Sequence, residues 1–386
     1  MLNKMSKILL VDTNRAAYPI YQALLAAGHD VWVVGGKPTE TLAKLAPNYV
    51  QLDYSNAETL AAFVDENEFD YLVPGCTDLS YEVCAKINKG RFPGIENPAT
   101  TSAINTKSEF RAVAEKIGLP VPRVLTLEEA GAAESVIIKP VDSFSGRGMS
   151  VLQNPAAGQL EEAFKAACKA SKTGGAIIEE FVTGQLYSHS AFIRNGEVVA
   201  DFIVQEDSVA SPFAVDTSRV LFDFPAGMLE SLRSDVRRLA TSLQLLDGLV
   251  HTQFIAKNDR YWIIEVTRRC PGDIYSLLIE FSTGYPYAAS YAAPFIGGAA
   301  CSPDPDAVRE RIIRHTASSK MGESLWGFSF SAPVDIRLFV PLVTSGEQLG
   351  AGPYGRAGVF FFRASSTTDE EMLYQKLLAG ELYSFS

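Results

Sequence analysis

The sequence predicts an α/β (α+β) protein whose N-terminal part is an open, mostly parallel sheet with helices on its faces. Strand and helix patterns alternate over residues 7–105. Strand patterns then predominate over residues 135–206, and clear amphipathic helices are predicted over 106–117 and 228–245. These observations indicate a parallel sheet followed by a mixed, strand-rich region.

The N-terminal alternation begins with the apolar run Lys7–Val11 and a helical stretch, Arg15–Ala27, that ends at Gly28. It continues with strands and a helix at Asp30–Val34, Gln51–Asp53, Glu58–Val64 and Tyr71–Val73. No G-x-G-x-x-G follows the first strand, so the turn there does not indicate a dinucleotide site. The turn at residues 74–78 follows a strand end, where open α/β sheets bind ligands, although an ordinary tight turn also explains it.

The elements after residue 105 are predicted in the same way, from the spacing of apolar residues and from the residues that end helices. The helix over 106–117 ends at Gly118, because the prolines that follow favour an extended backbone. The remaining predicted elements are a helix near Leu160–Ala170, the strands Leu249–Ile255, Tyr261–Val266, Val334–Pro341 and Gly358–Phe362, and a helix at Asp369–Leu378. There is no internal repeat and no low-complexity segment.

Composition fits a soluble globular protein of two or three domains. The chain has 386 residues, of which 47% are hydrophobic and 20% charged. A net charge of -11 disfavours a general binder of nucleic acid or anionic membranes. The five cysteines and four histidines lack C-x-x-C or metal-ligand spacing, so neither a disulfide framework nor a zinc site is indicated. Without a signal-peptide pattern or a long apolar span, we expect a cytoplasmic protein.

A lysine followed by a glycine loop is the first candidate functional feature. Lys139 ends the apolar strand that begins at Ser135, and the loop of residues 143–149 contains Gly146 and Gly148. A lysine so placed can meet an anionic oxygen, and glycine lets backbone N–H groups approach phosphate closely. The order differs from a P-loop, in which the lysine follows the glycines. By itself, the pattern also fits a glycine hairpin behind a surface lysine.

An acidic and aromatic linker is the second candidate. The apolar strand of residues 176–178 continues into Glu179, Glu180, Phe181 and Val182. Backbone C=O and N–H groups of such a linker can bind the edge of a flat heterocycle, while apolar side chains cover its faces. The alternative is a charged strand end before a hairpin.

A candidate metal site lies on two neighbouring strands. Antiparallel pairing places Gln253 beside Glu265, and Thr267 lies on the same face as Glu265. Their amide, carboxylate and hydroxyl oxygens suit Mg²⁺ or Mn²⁺. Arg268 and Arg269 follow in a loop and suit a phosphate or carboxylate. The alternative is a surface Glu–Arg pair after an edge strand.

The order of these features resembles the ATP-grasp superfamily over about residues 1–300. That order is a helix lysine, a strand lysine, a glycine loop, an acidic linker, an amphipathic helix, and strands bearing glutamine, glutamate and arginines. The resemblance implies an N-terminal open parallel α/β pre-ATP-grasp domain, a two-lobed ATP-grasp fold and a C-terminal mixed extension. We place the pre-ATP-grasp domain at 1–105, the small lobe with its phosphate flap at 106–185, and the large lobe with the extension at 186–386.

The resemblance also implies a role for each candidate residue. The residues expected to bind ATP are Lys107, Lys139, Ser145, Gly146, Gly148, Glu179, Glu180, Phe181 and Val182. The expected ligands of Mg²⁺ (or Mn²⁺) are Gln253, Glu265 and Thr267. Arg269, which would bind the reacting anion, and Lys139 are the expected catalytic residues. We expect Lys107 and Lys139 to reach the phosphates from opposite sides of a cleft, and an exposed Lys139 whose replacement leaves the fold intact.

Two positions depart from the family pattern. Leu186 stands where the family usually has a carboxylate that binds the ribose, and Thr267 stands where it has a metal-binding asparagine. These departures put ribose recognition and the binding of a second metal in question.

The implied activity is ATP-dependent ligation of a carboxylate to an amine through an acylphosphate, with release of ADP and phosphate. Small-molecule carboxylate and amine substrates are the expected partners, without nucleic acid or membrane, and a homodimer is left open. One alternative is another ATP-grasp enzyme, of the carboxylase, carbamoyl-phosphate-forming or kinase type. The other is a non-catalytic nucleotide-binding protein, which Leu186 and Thr267 would favour. The sequence identifies neither the acid nor the amine.

Overall fold

A parallel four-stranded sheet forms the N-terminal part of the protein. The computed structural model describes residues 5–143, 146–319, 323–350 and 355–386. The strands are β1 (Lys7–Val11), β2 (Asp30–Gly35), β3 (Tyr49–Gln51) and β4 (Tyr71–Pro74), in the order β3-β2-β1-β4. The helices are α1 (Tyr18–Ala26), α2 (Thr41–Leu45), α3 (Ala57–Glu66), α4 (Asp78–Asn88) and α5 (Pro98–Asn105). The predicted open parallel sheet is confirmed.

A small antiparallel sheet follows. Its region comprises α6 (Lys107–Ile117), α7 (Leu127–Gly131), β5 (Ser135–Pro140), β6 (Ser150–Gln153), α8 (Ala157–Ala170) and β7 (Ala176–Glu180), with strand order β6-β5-β7. Val136 and Ile138 point into a core shared with α8. Because side chains alternate along a strand, Ile137 and Lys139 point to the opposite face, where Glu179 is the register partner of Ile137.

A large antiparallel sheet of eight strands completes the fold. Its region comprises β8 (Gln185–Arg194), β9 (Glu197–Asp207), β10 (Thr217–Leu221), α9 (Ala226–Leu243), β11 (Gly248–Lys257), β12 (Arg260–Thr267), α10 (Tyr275–Thr283), α11 (Tyr287–Ala292), β13 (Arg311–Ser318), β14 (Phe328–Phe330), β15 (Asp335–Pro341), β16 (Arg356–Ala364), α12 (Thr367–Leu378) and β17 (Tyr383–Phe385). The strand order is β12-β11-β8-β9-β10-β13-β16-β15, and β14 pairs with β17. The C-terminal strands therefore extend the sheet that begins at β8.

Helix α9 covers one face of this sheet. Its apolar residues Leu232, Val236 and Leu239 are buried, as the helical spacing predicts. Across the described ranges, no helix combines the length and apolar character needed to cross a membrane.

The parallel sheet packs against α10 and α11 in one continuous core. The hydroxyl of Tyr291 donates to the backbone oxygens of Pro74 and Gly75 at 3.1 and 3.2 Å. Arg268 and Glu96, both buried, form an ion pair at 3.1 Å across the same junction. These contacts fix the carboxyl end of β4 beside the loop that follows β12, where the main cavity lies.

Candidate active site

One cavity of about 620 Å³ gathers nearly all of the predicted site residues. Those that line it are Lys107, Lys139, Gly146, Glu179, Glu180, Phe181, Val182, Gln253, Glu265, Thr267 and Arg269. Gly148 is not among the lining residues, because it packs against α8, where an added Cβ would clash with the Cβ of Ala170. Ser145 and the neighbouring Phe144 lie outside the described residues.

Lys139 belongs to a buried ion-pair cluster, so the prediction that it is exposed was wrong. Its side chain is 8% exposed, and its Nζ lies 2.6 Å from Oε2 of the fully buried Glu179. Arg111, which is 3% exposed, places Nε 2.7 Å from Oε1 of the same carboxylate. The strand register explains the burial, because Glu179 on β7 faces the side of β5 that bears Lys139.

The cluster carries excess positive charge. The single carboxylate of Glu179 forms ion pairs with both Arg111 and Lys139. Lys107 adds a further positive charge nearby. Burial lowers the pKa of Lys139. The carboxylate of Glu179 opposes this shift, and the positive charges of Arg111 and Lys107 add to it. The pKa of Glu179 is also lowered, because the attraction of Lys139 and Arg111 outweighs the effect of burial. An anion in the cavity would complete this charge balance.

Lys107 is bonded to the segment that follows Lys139, and the positive charges of the two lysines interact. The backbone N–H of Lys107 donates to the oxygen of Val141, just past β5, at 3.0 Å. Its Nζ donates to the backbone oxygen of Ser143 at 2.7 Å. The start of α6 is thus bonded to the segment that follows Lys139, and both lysines line the cavity.

The linker after β7 borders an apolar part of the cavity. The apolar side chains that line this part include Ile137, Met149, Phe181, Val182, Leu186, Ile255 and Ile264. Within the described residues, the Val182 N–H has no hydrogen-bond partner. A flat apolar ring could therefore be covered by these side chains and bonded at its edge by the backbone.

The predicted pairing of Gln253 with Glu265 is confirmed. The two residues are register partners on β11 and β12, and a β-bulge leaves Ile264 as the extra residue beside them. Nε2 of Gln253 donates to Oε2 of Glu206 at 2.8 Å, which leaves the Gln253 amide oxygen for another partner. An amide oxygen beside a carboxylate is a donor set that fits Mg²⁺. No group of three or more His, Cys, Asp or Glu side chains suited to a metal occurs in the described residues.

Glu206 is a site residue that the sequence analysis missed. It lines the cavity from β9, and burial raises its pKa to about 7 against the opposing hydrogen bonds from Ser188 and Gln253. It is the register partner of Leu186, the residue that occupies the usual ribose-carboxylate position. Glu206 stands 20 residues beyond Leu186 in sequence, so only the hairpin of β8 and β9 reveals that a carboxylate faces this part of the cavity.

Arg269, the predicted anion-binding residue, is held by Asp78. Its Nε lies 2.7 Å from Oδ1 of Asp78 and its Nη2 3.4 Å from Oδ2. Burial acts against the charge on Arg269, but the ion pair with Asp78 raises its pKa overall. Asp78 begins helix α4 and is the last residue of the turn at 74–78, for which the sequence suggested either ligand binding or an ordinary tight turn. The guanidinium therefore lies at the cavity wall, with its Nε and Nη2 groups already bonded to the Asp78 carboxylate.

Thr267 lines the cavity, but its hydroxyl already has a hydrogen-bond partner. The residue is buried, and its Oγ1 accepts a hydrogen bond from the backbone N–H of Arg269 at 3.3 Å. A hydroxyl oxygen in this position can still share in binding a cation, but it is more weakly suited than the carboxylate of Glu265.

The cavity brings two lysines together with a Gln–Glu pair, the combination that the resemblance to the ATP-grasp superfamily predicts. A family model of the ATP-grasp domain matches residues 104–273. Residues 104–273 therefore match an ATP-grasp domain, as their motifs predicted. The match includes the loop through Asp273 that contains Arg269.

The protein is also similar to known proteins outside that segment. It is 26% identical over 281 residues to the carbamoyl phosphate synthase large chain of Methanoregula boonei, an alignment that covers 72% of this sequence and 24% of that protein. The sequence therefore spans about a quarter of the length of this relative.

Solved structures show the same fold over nearly the whole sequence. The phosphoribosylglycinamide synthetase from Anaerococcus prevotii matches with a TM-score of 0.77 and 17% identity, covering 99% of this protein and 100% of that one. The L-amino acid ligase from Bacillus licheniformis matches with a TM-score of 0.76 and 16% identity, covering 99% of each. These likenesses confirm the predicted fold class, including the parallel N-terminal sheet and the C-terminal region.

Proposed function

We propose that the protein is an ATP-dependent carbon–nitrogen ligase that joins a carboxylate to an amine through an acylphosphate, with release of ADP and phosphate. The observation that carries the proposal is the convergence of Lys107 and Lys139 with Gln253 and Glu265 on one cavity. The ligase and synthetase of the same fold, whose structures match almost the entire sequence, support it.

Each part of the cavity has a role in this proposal. The linker and its apolar surroundings hold the adenine, with the Val182 N–H bonded to the ring. Lys107 and Lys139 bind phosphate oxygens, which supply the anion that their cluster lacks. Gln253 and Glu265 would hold Mg²⁺, which would neutralise phosphate charge and orient the transferred group.

The proposed chemistry requires positioning rather than a protein nucleophile. The substrate carboxylate attacks the γ-phosphorus and ADP leaves, and the amine then attacks the acyl carbon and expels phosphate. The residues of the protein place these groups together, offset their charge and keep water from the acylphosphate. The deeply buried Lys139 and Glu179 fit such a preorganised site.

Substrate-dependent phosphate release tests the proposal. The protein is incubated with ATP, Mg²⁺ and pooled amino acids and other small carboxylates and amines, and both phosphate and the condensed product are measured. Phosphate release that requires both an acid and an amine, together with a product of their combined mass less water, supports the ligase. ATP binding without turnover in any pool would favour a non-catalytic nucleotide-binding protein.

A carbamoyl-phosphate-forming or other bicarbonate-using activity is the second candidate. The similarity to a carbamoyl phosphate synthase large chain over 72% of this sequence favours it. The same assay separates the two functions. Phosphate release with bicarbonate in place of an organic acid would indicate the second candidate.

Lys139→Met should weaken ATP binding by about 10-fold to 100-fold, because a charge-assisted contact to phosphate is lost. Its effect on stability should be small even though the residue is buried, since Glu179 keeps Arg111 and the local excess of positive charge falls. Titration calorimetry and urea unfolding measure the two effects. Lys165→Met, an exposed lysine of α8, is the matched control. Unchanged ATP affinity in Lys139→Met would contradict the assignment of the phosphate site.

Gly146→Ala should weaken ATP binding by about 5-fold to 30-fold, because relief of about 1–2 kcal/mol of strain would move this backbone away from its place at the cavity wall, and ATP binding would have to restore it. Gly146 has φ +72°, and a Cβ there would lie 2.5 Å from the Cβ of Phe213. The double variant with Phe213→Ala should retain most of the loss, because that Cβ and the left-handed backbone both remain. Gly158→Ala in α8, where the added Cβ meets no atom within 4 Å, is the control. Equal ATP affinity in the Gly146 and Gly158 variants would show that this loop is not in contact with the nucleotide.

A further inference from the structure

A second cavity, of about 350 Å³, adjoins the first. Cys76, Gly272, Asp273 and Arg356 line both cavities. The second cavity also contains Arg15, which follows β1 at the carboxyl end of the parallel sheet. Open α/β sheets bind ligands at this end. The space therefore extends the main cavity toward the N-terminal sheet.

Guanidinium groups outnumber carboxylates around this space. Nη2 of Arg314 lies 3.2 Å from Oδ2 of Asp273, and Nη1 of Arg356 lies 3.4 Å from Oδ1 of the same carboxylate. Within the described part of the protein, the guanidinium of Arg15 has no hydrogen bond or ion pair. Burial lowers the pKa of Arg15, and the nearby charge of Arg356 lowers it further, only partly offset by Asp273 and Glu40. Two arginines, Arg15 and Arg356, thus line the second cavity together with the single carboxylate Asp273, which Arg314 also binds.

The backbone beside the cavity is held in an unusual conformation. Asp273 and Ile274 have φ +61° and +60°. Few residues other than glycine adopt this region, and a β-branched residue such as Ile274 does so very seldom. This conformation directs the Asp273 carboxylate between Arg314 and Arg356 and presents Gly272 and Asp273 to both cavities. Such strain is typically retained where the surrounding structure and function require it.

We propose that this second cavity binds an anionic group, a carboxylate or a phosphate, on the organic substrate that occupies the adjoining part of the main cavity. Arg15 and Arg356 would then be residues that determine substrate specificity. The proposal rests on the proposed function in that this substrate is a reactant of the ligase. Planar guanidinium groups suit both carboxylate and phosphate. Arg269 is less available to bind this group, because its Nε and Nη2 already bond Asp78.

Direct binding of simple anions tests the site without a known substrate. With Mg²⁺ and a non-hydrolysable ATP analogue saturating, so that all three nucleotide-phosphate positions are filled, inorganic phosphate and malonate are titrated separately by calorimetry. We expect wild-type protein to bind at least one of them with millimolar or tighter affinity. Arg15→Gln should weaken that binding about 10-fold or more, since a charge-assisted contact is lost. Tighter binding of phosphate would indicate a phosphorylated substrate, and tighter binding of malonate a polycarboxylate.

Arg260→Gln serves as the control, because Arg260 is exposed at the start of β12 and lines neither cavity. It should bind both anions as the wild type does. If the wild type binds neither anion, or if Arg15→Gln binds them equally well, the proposed anion site is overturned.

Kinetics separate this proposal from the proposed function. Once a substrate pair is found, Arg15→Gln should raise the KM of the anionic substrate about 10-fold to 100-fold and leave the KM of ATP unchanged. Equal use of a substrate and its analogue without the extra anionic group would overturn the anion site while the ligase activity stands. Absence of turnover in every pool would overturn the ligase, and the binding titrations would still decide the anion site.

Discussion

Glu179→Gln should lower the free energy of unfolding by about 3–5 kcal/mol, the usual cost of removing one partner from a buried ion pair. The carboxylate is fully buried and bonds both Arg111 and Lys139 at 2.7 and 2.6 Å. A neutral amide would leave two buried cations without their counter-charge. The midpoint and slope of urea unfolding measure the loss.

The pH dependence of this loss identifies its cause. Without Glu179, the pKa of Lys139 should fall further below its ordinary value of 10.5. A lysine whose folded-state pKa is depressed makes the folded protein more stable as the pH rises from the folded toward the unfolded pKa. The deficit of Glu179→Gln should therefore narrow as the pH is raised toward that value.

Two further variants complete the test of the cluster. Adding Lys139→Met to Glu179→Gln should restore part of the lost stability, because one uncompensated cation is removed. Glu180→Gln, the neighbouring and more exposed position, should change stability by less than about 1 kcal/mol. If Glu179→Gln behaves like Glu180→Gln, the ion-pair cluster does not stabilise the small antiparallel sheet and helix α6.

Glu265→Gln should reduce substrate-dependent phosphate release by at least about 100-fold. The variant keeps the size of the side chain but removes the negative charge from the proposed ligand pair of Gln253 and Glu265. Metal ions contribute several kcal/mol to such reactions, so a weakened metal site should slow turnover strongly. Adenine recognition should persist, since it relies on the linker and its apolar surroundings. Binding of ATP with and without Mg²⁺ is the measurement that accompanies turnover, and the benefit of Mg²⁺ to ATP affinity should be largely lost.

Glu230→Gln is the matched control for this variant. Glu230 lies on α9, is largely exposed and pairs with Arg233 and Arg237 away from the cavity. It should retain the wild-type rate and the wild-type effect of Mg²⁺. Near-normal phosphate release by Glu265→Gln would place the metal site elsewhere in the protein.

The Gln253–Glu265 pair was predictable because a short hairpin forms it. The two residues are 12 positions apart, and alternation along antiparallel strands brings them to one face. The same local logic located Lys139, the linker after β7 and the strands and helices of the N-terminal sheet. Strand periodicity, turn residues and helix stops act over a few residues, so the sequence displays them directly.

The partners of these residues could not be predicted in this way. Arg111 and Glu179 are 68 positions apart, and Arg269 and Asp78 are 191 apart. One available indication was the spacing of Lys107 and Arg111, which places both on one face of α6. Nothing local indicated that Glu179 would be buried, which is why Lys139 was expected to be exposed.

The sequence by itself determined the class of fold, the order of its elements and most of the residues that face the cavity, since these depend on periodicity and turn chemistry within short segments. The tertiary structure decided the burial of Lys139, the pairing of Arg269 with Asp78, the place of Glu206 beside Gln253 and the arginine-lined second cavity. Each of these joins elements distant in the sequence, and their electrostatic consequences arise from burial and charge proximity, which exist only after the sheets have packed together.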